Sequence, residues 1–415
     1  MLQKFVEAGY EAVDFEEKAD IYIINTCTVT NMSDKKSRQI IRRAKHNNSK
    51  AIVAAVGCYA QVSKKELEQD IPEIDLVLGT NEKNNIVQYI EEYIEKQKSI
   101  QEISDVMAQK EFLDFGQVTY TEKTRAVIKV QDGCDRFCSY CIIPYARGRV
   151  RSRKIENVVK EITQIVKNGT KEVVITGIHV ASYGKDFKDG TTLIDLLEAI
   201  NQIEDLQRIR LSSIEPIIIT EEFLARLTKL DKICEHFHLS LQSGCDETLQ
   251  RMNRRYTTAE FEKCTELLRK AYPNVALTTD VIVGFPGETE EEFNKTYEFL
   301  KKIKFYQMHI FKYSARKGTK AADMPNQVPP ELKEERSKKL IELSNKNEQE
   351  FMEKFIGQKL PVLFEQTENN LMQGHTTNYL KVGIQNKENL ENEIKNVEIV
   401  EVKDKILIGK LLHNS

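Results

Sequence analysis

The stretch Asp132–Arg153, DGCDRFCSYCIIPYARGRVRSR, sets Cys134, Cys138 and Cys141 in a C-x3-C-x2-C spacing and follows them with Arg147, Arg149, Arg151 and Arg153. It comes directly after the β-branched run AVIKV, which reads as a buried strand. Eight cysteines in 415 residues do not make a disulfide scaffold, and thiols this close in sequence point to a metal or to catalysis. A structural zinc would need four ligands, usually from two C-x2-C-like knuckles, and no second knuckle or nearby His pair follows. Three thiolates on a four-iron cluster leave one iron without a protein ligand, and that open iron has chemical consequences.

Downstream of AVIKV the chain alternates EVVITG, RIRLSS, HFHLSLQSG, LTTDVIVGF and QMHIF with helical sequence. Six such β/α units predict an open, incomplete parallel barrel, (β/α)6, of the kind that carries its chemistry on the loops after the strands. Upstream, IYIIN, AIVAAV and DLVLG read as buried parallel strands separated by helices over Ser33–Asn47 and Ser63–Asp70, each with Ser at the N-cap. This alternation predicts a small doubly wound α/β domain over residues 1–97. Residues 98–123 read as a linker, and 124–356 as the barrel domain ending in the charged helix that follows Pro329-Pro330. Residues 357–415 change to KLPVLFEQ, YLKVGIQ, VEIVEVKD and KILIGKLL, an all-β module of short alternating strands. The fold class is therefore α/β multidomain.

A formal net charge of -3 with 40% hydrophobic and 30% charged residues is a soluble globular composition, so any polyanion contact must come from local clusters. Two clusters stand out. Arg147, Arg149, Arg151, Arg153 and Lys154 form one; Lys35, Lys36, Arg38, Arg42, Arg43 and Lys45 lie on the helix after Cys27. Paired with two cysteine loops, they suggest an anionic polymer brought to the thiols. No apolar run approaches the roughly 20 residues of a membrane span, and the expected setting is a reducing cytoplasm.

The C-x3-C-x2-C loop resembles that of the radical S-adenosylmethionine (SAM) enzymes. The resemblance implies a [4Fe-4S] cluster on Cys134, Cys138 and Cys141 whose open iron chelates SAM and cleaves it to a 5'-deoxyadenosyl radical. It also implies cofactor contacts. Tyr140 takes the aromatic position before the last cysteine, Thr176 and Gly177 bind the amino group, Ser213 and Glu215 lie near the ribose, and Gln242, Asp280 and Gly284 close the pocket. No catalytic residue beyond the cluster ligands is assigned.

NTCTVTNMSDKKSRQIIRRA and VGCYAQ resemble the N-terminal domain of the methylthiotransferases, a branch of those enzymes with a second [4Fe-4S] cluster held by three cysteines. Cys27 and Cys58 match two of the three ligands. The family's first ligand precedes its first helix, and MLQKFVEAGY reads as that helix already under way; Met1 is therefore expected to be internal, with the first strand and ligand upstream. NTCTVTN, CIIPYARGRVRSR and GIHVASYGKD resemble the MtaB-type branch, which adds a methylthio group to C2 of N6-threonylcarbamoyladenosine beside the tRNA anticodon. Implied partners are the tRNA anticodon stem-loop and an electron donor such as a flavodoxin or ferredoxin, with a monomeric enzyme and no membrane. The last module resembles the RNA-binding TRAM barrel, with Tyr379 and Lys381 as RNA contacts beside Arg147, Arg149, Arg151 and Arg153. Two alternatives are a non-catalytic iron-sulfur RNA-binding protein and methylthiolation of isopentenyladenosine or of a ribosomal-protein aspartate.

Overall fold

A computed structural model describes residues 1–114, 116, 124–385 and 388–412. Of the expected linker, residues 115 and 117–123 lie outside the described residues. The chain divides into two compact units, one of Met1–Phe115, Asp132–Val150 and Ser314–Asp323, the other of Gly116–Gln131, Arg151–Tyr313 and Met324–Ser415.

The first unit is built on four parallel strands in the order β1 (Ile21–Thr26), β2 (Ile52–Gly57), β3 (Leu76–Leu78) and β4 (Ile100–Glu102). Alternation along the strands sends Tyr22, Ile24, Val53 and Ala55 to one face, against Ile41, Ala44 and Tyr59. Ala54, Val56, Leu76 and Leu78 face the other way, against Phe5, Ile86 and Ile90. Helices thus cover both faces, as a sheet of near-continuous apolar strands requires. The helix after β1 runs Asn31–Asn47 and is capped by Thr30, whose hydroxyl accepts from the Ser33 N–H at 3.1 Å. Ser33 is therefore the capped residue and not the cap read from the sequence, whereas Ser63 does precede the helix Lys64–Asp70.

This unit also takes in Asp132–Val150 and Ser314–Asp323, so it does not end near residue 97 as the sequence suggested. The physical reason is close packing. Gly148, at φ 75°, lies so near Val106 that a Cβ would sit 2.0 Å from the Val106 carbonyl oxygen, and the Thr80 hydroxyl donates to Ala146 O at 3.0 Å. The buried Arg316 donates to Asn31 Oδ1 at 2.6 Å and pairs with Asp34 Oδ2 at 2.7 Å.

The second unit holds the six expected strands, β5 (Arg125–Asp132, through Gln131), β7 (Glu172–Gly177), β8 (Arg208–Leu211), β9 (His236–Gln242), β10 (Ala276–Val283) and β11 (Gln307–Lys312), with the short β6 (Arg151–Ser152) beside β5. They form two sheets, β6-β5-β7-β8 and β11-β10-β9, joined by the bridges Ile209↔Ile233 and Ile214↔Leu239. Ile128, Val173, Ile175, Phe237, Leu239, Leu277 and Val281 point to the helix layer and share its core with Val158, Ile162, Leu196 and Leu197. Alternate residues consequently point the other way, which is where the chemistry lies. A charged helix, Pro330–Glu353, leads to a closed barrel in the order β12 (Lys359–Glu368), β13 (Leu371–Thr376), β14 (Lys381–Ile384), β16 (Ile406–Leu411) and β15 (Ile394–Lys403). Buried Arg208 and Arg210 join this barrel to the strand layer. Arg208 donates to His375 O and Pro361 O, each at 2.9 Å, and Arg210 donates to Thr377 O at 3.0 Å while pairing with Glu172 at 2.7 Å.

Candidate active site

In the first unit, paired β1 and β2 end at Thr26↔Gly57, so Cys27 and Cys58 leave adjacent strand ends on the same side of the sheet. Thr26 fixes that corner: its hydroxyl donates to Val56 O at 2.8 Å and accepts from the Ala60 N–H at 3.2 Å. Gly57 adopts φ 105°, where a Cβ would lie 2.9 Å from Thr26 O, so a side chain there would push the two ends apart. Cys27 is exposed and Cys58 buried, and neither forms a disulfide.

The second thiol loop lies in the same unit. Gly133, at φ 72°, approaches Arg149 so closely that a Cβ would sit 1.8 Å from its carbonyl oxygen, and the Cys134 N–H donates to Gly148 O at 3.0 Å. These contacts close the loop's base, where Cys134, Cys138 and Cys141 are half-buried. The Arg136 N–H points at Cys134 Sγ from 3.5 Å, and Cys141 N–H donates to Cys138 O at 3.0 Å. Arg147 connects the two thiol arrays. Its Nε donates to Cys58 Sγ at 3.1 Å and its Nη1 lies 3.5 Å from Asp132 Oδ2. Burial opposes the Arg147 charge, but the Cys58 sulfur and Asp132 hold its pKa above the ordinary arginine value.

In the second unit the expected cofactor residues fall into separate groups. Thr176 and Gly177 end β7; a Cβ on Gly177 would meet Gln131 at 2.9 Å. Gln131 Oε1 accepts from the His179 N–H at 2.7 Å, and His179 Nε2 lies 3.1 Å from Glu215 Oε2. Glu215, 3% exposed, also pairs with Arg254 at 3.3 Å, so Glu215 is held between a histidine and an arginine. Ser213 stands exposed just past β8. Gln242 ends β9 at φ 73°, a left-handed conformation unusual for glutamine. Asp280 lies on β10 with His238 Nε2 3.2 Å away. Gly284 packs on the helix Pro330–Glu353, where a Cβ would meet Lys333 Cγ at 2.3 Å, and its N–H donates to Glu288. Tyr140 belongs to the first unit and is half-buried.

The residues read as RNA contacts are corrected in part. Arg151 and Arg153 are 2% and 6% exposed, and Arg153 pairs with Glu161; a guanidinium buried on a carboxylate offers no phosphate contact. Arg147 faces Cys58. Arg149 alone of the four is exposed, lying 5.0 Å over the Phe137 ring and 3.3 Å from Asp135. Tyr379 sits in the joint between the closed barrel and the strand layer, its ring 4.7 Å from His375, 5.0 Å from His236 and 4.6 Å from the Arg210 guanidinium, so that face of the ring is not an open stacking platform. Lys381 remains at the surface beside Glu368. Sequence reasoning missed Arg316, which anchors the segment after β11 through partners nearly 300 positions away, and the histidines His238 and His309, each an unremarkable polar position in a strand.

A model of the radical SAM superfamily matches residues 128–300, and one of the uncharacterized protein family UPF0004 matches residues 1–79. The chain is 45% identical over 403 residues, 96% of its length and 89% of the relative's, to the threonylcarbamoyladenosine tRNA methylthiotransferase MtaB of Bacillus subtilis. The chain belongs to the MtaB family of tRNA methylthiotransferases. The MtaB of Aquifex aeolicus is 44% identical, with 91% of each chain covered. A tRNA-2-methylthio-N(6)-dimethylallyladenosine synthase of Caldicellulosiruptor saccharolyticus is 36% identical over 97% of this chain and 87% of its own. The fold is similar to that of the radical SAM methyltransferase TsrM of Kitasatospora setae, with TM-score 0.56 at 16% identity over 74% of this chain and 66% of that one. Membership of the MtaB family and of the radical SAM superfamily implies a [4Fe-4S] cluster and SAM. The donor set fits: Cys134, Cys138 and Cys141 are three half-buried thiols on one short loop, whose backbone already points an N–H at one sulfur. Among the described residues no helix is long and apolar enough to cross a membrane.

Proposed function

We propose that this chain replaces the C2 hydrogen of adenine in N6-threonylcarbamoyladenosine, beside a tRNA anticodon, with a methylthio group. The 45% identity to an MtaB over 96% of the chain carries the reading. Two groups of cysteines within one compact unit support it, because the reaction needs a radical source and a sulfur source. When bound at Cys134, Cys138 and Cys141, a [4Fe-4S] cluster with SAM supplies one-electron cleavage of the sulfonium. Cys27 and Cys58 would give two ligands to a second cluster, the sulfur source.

The chain's own residues hold and orient. C2 of adenine is an aromatic carbon that no side-chain base deprotonates, and accordingly no general base is assigned. Arg147 donates its Nε–H to the Cys58 sulfur at 3.1 Å and so orients that thiol at its strand end. The inward faces of β5 and β7–β11 form the wall against which a base splayed from the anticodon loop is received without melting a helix. A TRAM-like role in RNA binding for the closed barrel, an electron donor of the flavodoxin or ferredoxin class, and a cytoplasmic setting complete the reading.

Anaerobic reconstitution followed by nucleoside mass spectrometry tests it. The expected result is about eight irons per chain, SAM cleavage, and a methylthio mass gain on tRNA carrying threonylcarbamoyladenosine. Cys138→Ala is expected to abolish cleavage. A gain only on isopentenyladenosine would overturn the substrate, and iron uptake without cleavage would favour a non-catalytic RNA-binding protein.

A further inference from the structure

Three adjacent strands of the second unit present His238 (β9), Asp280 (β10) and His309 (β11) on one face, with ligand atoms all within 4.8 Å of one another. Register produces the cluster. His238 lies opposite Thr278 and Asp280 opposite His309, while the neighbours Leu239, Leu277, Val281 and Met308 are spent on the core. The period of two therefore forces all three polar side chains onto the face away from the helices.

Two features distinguish this cluster from an ordinary hydrogen-bonded pair. His238 Nε2 is buried and, although 3.2 Å from Asp280 Oδ2, makes no hydrogen bond of acceptable geometry. Its other nitrogen, Nδ1, is 3.0 Å from the Thr278 hydroxyl, a contact that fixes the ring from behind as partners of metal-bound imidazoles do. His309 stacks beside it, ring centroids 5.6 Å apart, and is exposed, leaving one side of the trio open. Two imidazoles and one carboxylate suit zinc or ferrous iron, whereas magnesium and calcium prefer oxygen alone.

We infer that His238, Asp280 and His309 form a divalent transition-metal site with open coordination positions that uses none of the cysteines, with Asp280 a metal ligand in place of the cofactor contact that the resemblance implies. A zinc with bonds of about 2.0–2.1 Å would draw the three ligand atoms together by side-chain rotation on strands already in register. The open positions accept a water or an oxygen ligand.

The test uses the full chain with its clusters loaded first, so that added zinc does not report on the thiols. After incubation with zinc chloride and gel filtration, elemental analysis should find one zinc per chain beyond the iron. His309→Gln, at an exposed position that leaves the fold intact, should lose that zinc with iron content unchanged. Thr278→Val should weaken binding about 10–100-fold, the usual cost of removing an outer partner. No zinc in the wild type, or equal zinc in wild type and His309→Gln, would overturn the site, whatever the enzyme's activity.

Discussion

The two basic stretches of this chain look alike in sequence and are used in opposite ways. Each follows a cysteine loop, and each packs several arginines or lysines into a span of about three helical turns or less. In the stretch from Arg147 to Arg153, three of the four arginines are turned inward: Arg147 onto Cys58, Arg151 into the interior, Arg153 onto Glu161. On the helix Asn31–Asn47 the charges divide by helical face. Lys45 and Arg38 lie against Asp75 and Asp70, while Lys35, Lys36, Arg42 and Arg43 are exposed. Positive charge in a sequence does not tell which side of the surface it occupies; the placement of carboxylates and sulfurs does.

The largest expected effect tests the inward half. Arg153→Met would break the buried pair that Arg153 makes with Glu161, itself 5% exposed, and removing one partner of a buried pair costs about 3–5 kcal/mol. Urea unfolding should show that loss at neutral pH. An unchanged midpoint would mean that Arg153 is free to reach solvent, and the contrast with the helix would fail.

Next in size is Arg147→Met. A hydrogen bond to a charged group contributes about 1.5–3 kcal/mol, and here the acceptor is Cys58 Sγ. The expected outcome is a second cluster that forms less completely, read as lower iron per chain, while SAM cleavage at Cys134, Cys138 and Cys141 persists. Arg147→Lys, which keeps the charge without the planar fork, should recover part of the iron. If the substitution lowered only tRNA affinity, Arg147 would belong with the exposed lysines.

The same contrast shows what was legible beforehand. All six strands of the partial barrel, four of the five strands of the closed barrel and the thiol loops could be read, because β-branched runs and cysteine spacing are local signals, whereas β13, LMQGHT, has no β-branched run and was missed. The grouping of Asp132–Val150 and Ser314–Asp323 with the N-terminal sheet was not. It rests on Gly148 against Val106 and on Arg316 against Asp34, contacts between residues far apart in the chain that leave no local trace. Tyr379 misled for a related reason: an aromatic beside a lysine in a small β-module fits an RNA platform, yet its ring is taken by Arg210, His236 and His375. The residues expected to contact the cofactor could be placed at or near strand ends, but the pairing of Glu215 with Arg254 and His179 depends on three loops meeting.

The smallest effect concerns Lys35 and Lys36, exposed on the turn that follows Cys27 and bordering a shallow surface depression with Met32, Ser33 and Gln39. Among the described residues neither ammonium pairs with a carboxylate, so replacing them with Gln should leave stability within about 0.5 kcal/mol. If tRNA phosphates lie against this helix, each substitution removes one released counterion, and the slope of log affinity against log salt falls by about 1 per lysine. Titrating the double variant and the wild type with the same tRNA at several salt concentrations measures that slope directly. Parallel lines would show the helix face to be merely solvated, and the division between inward and outward charge would then carry no RNA-binding meaning.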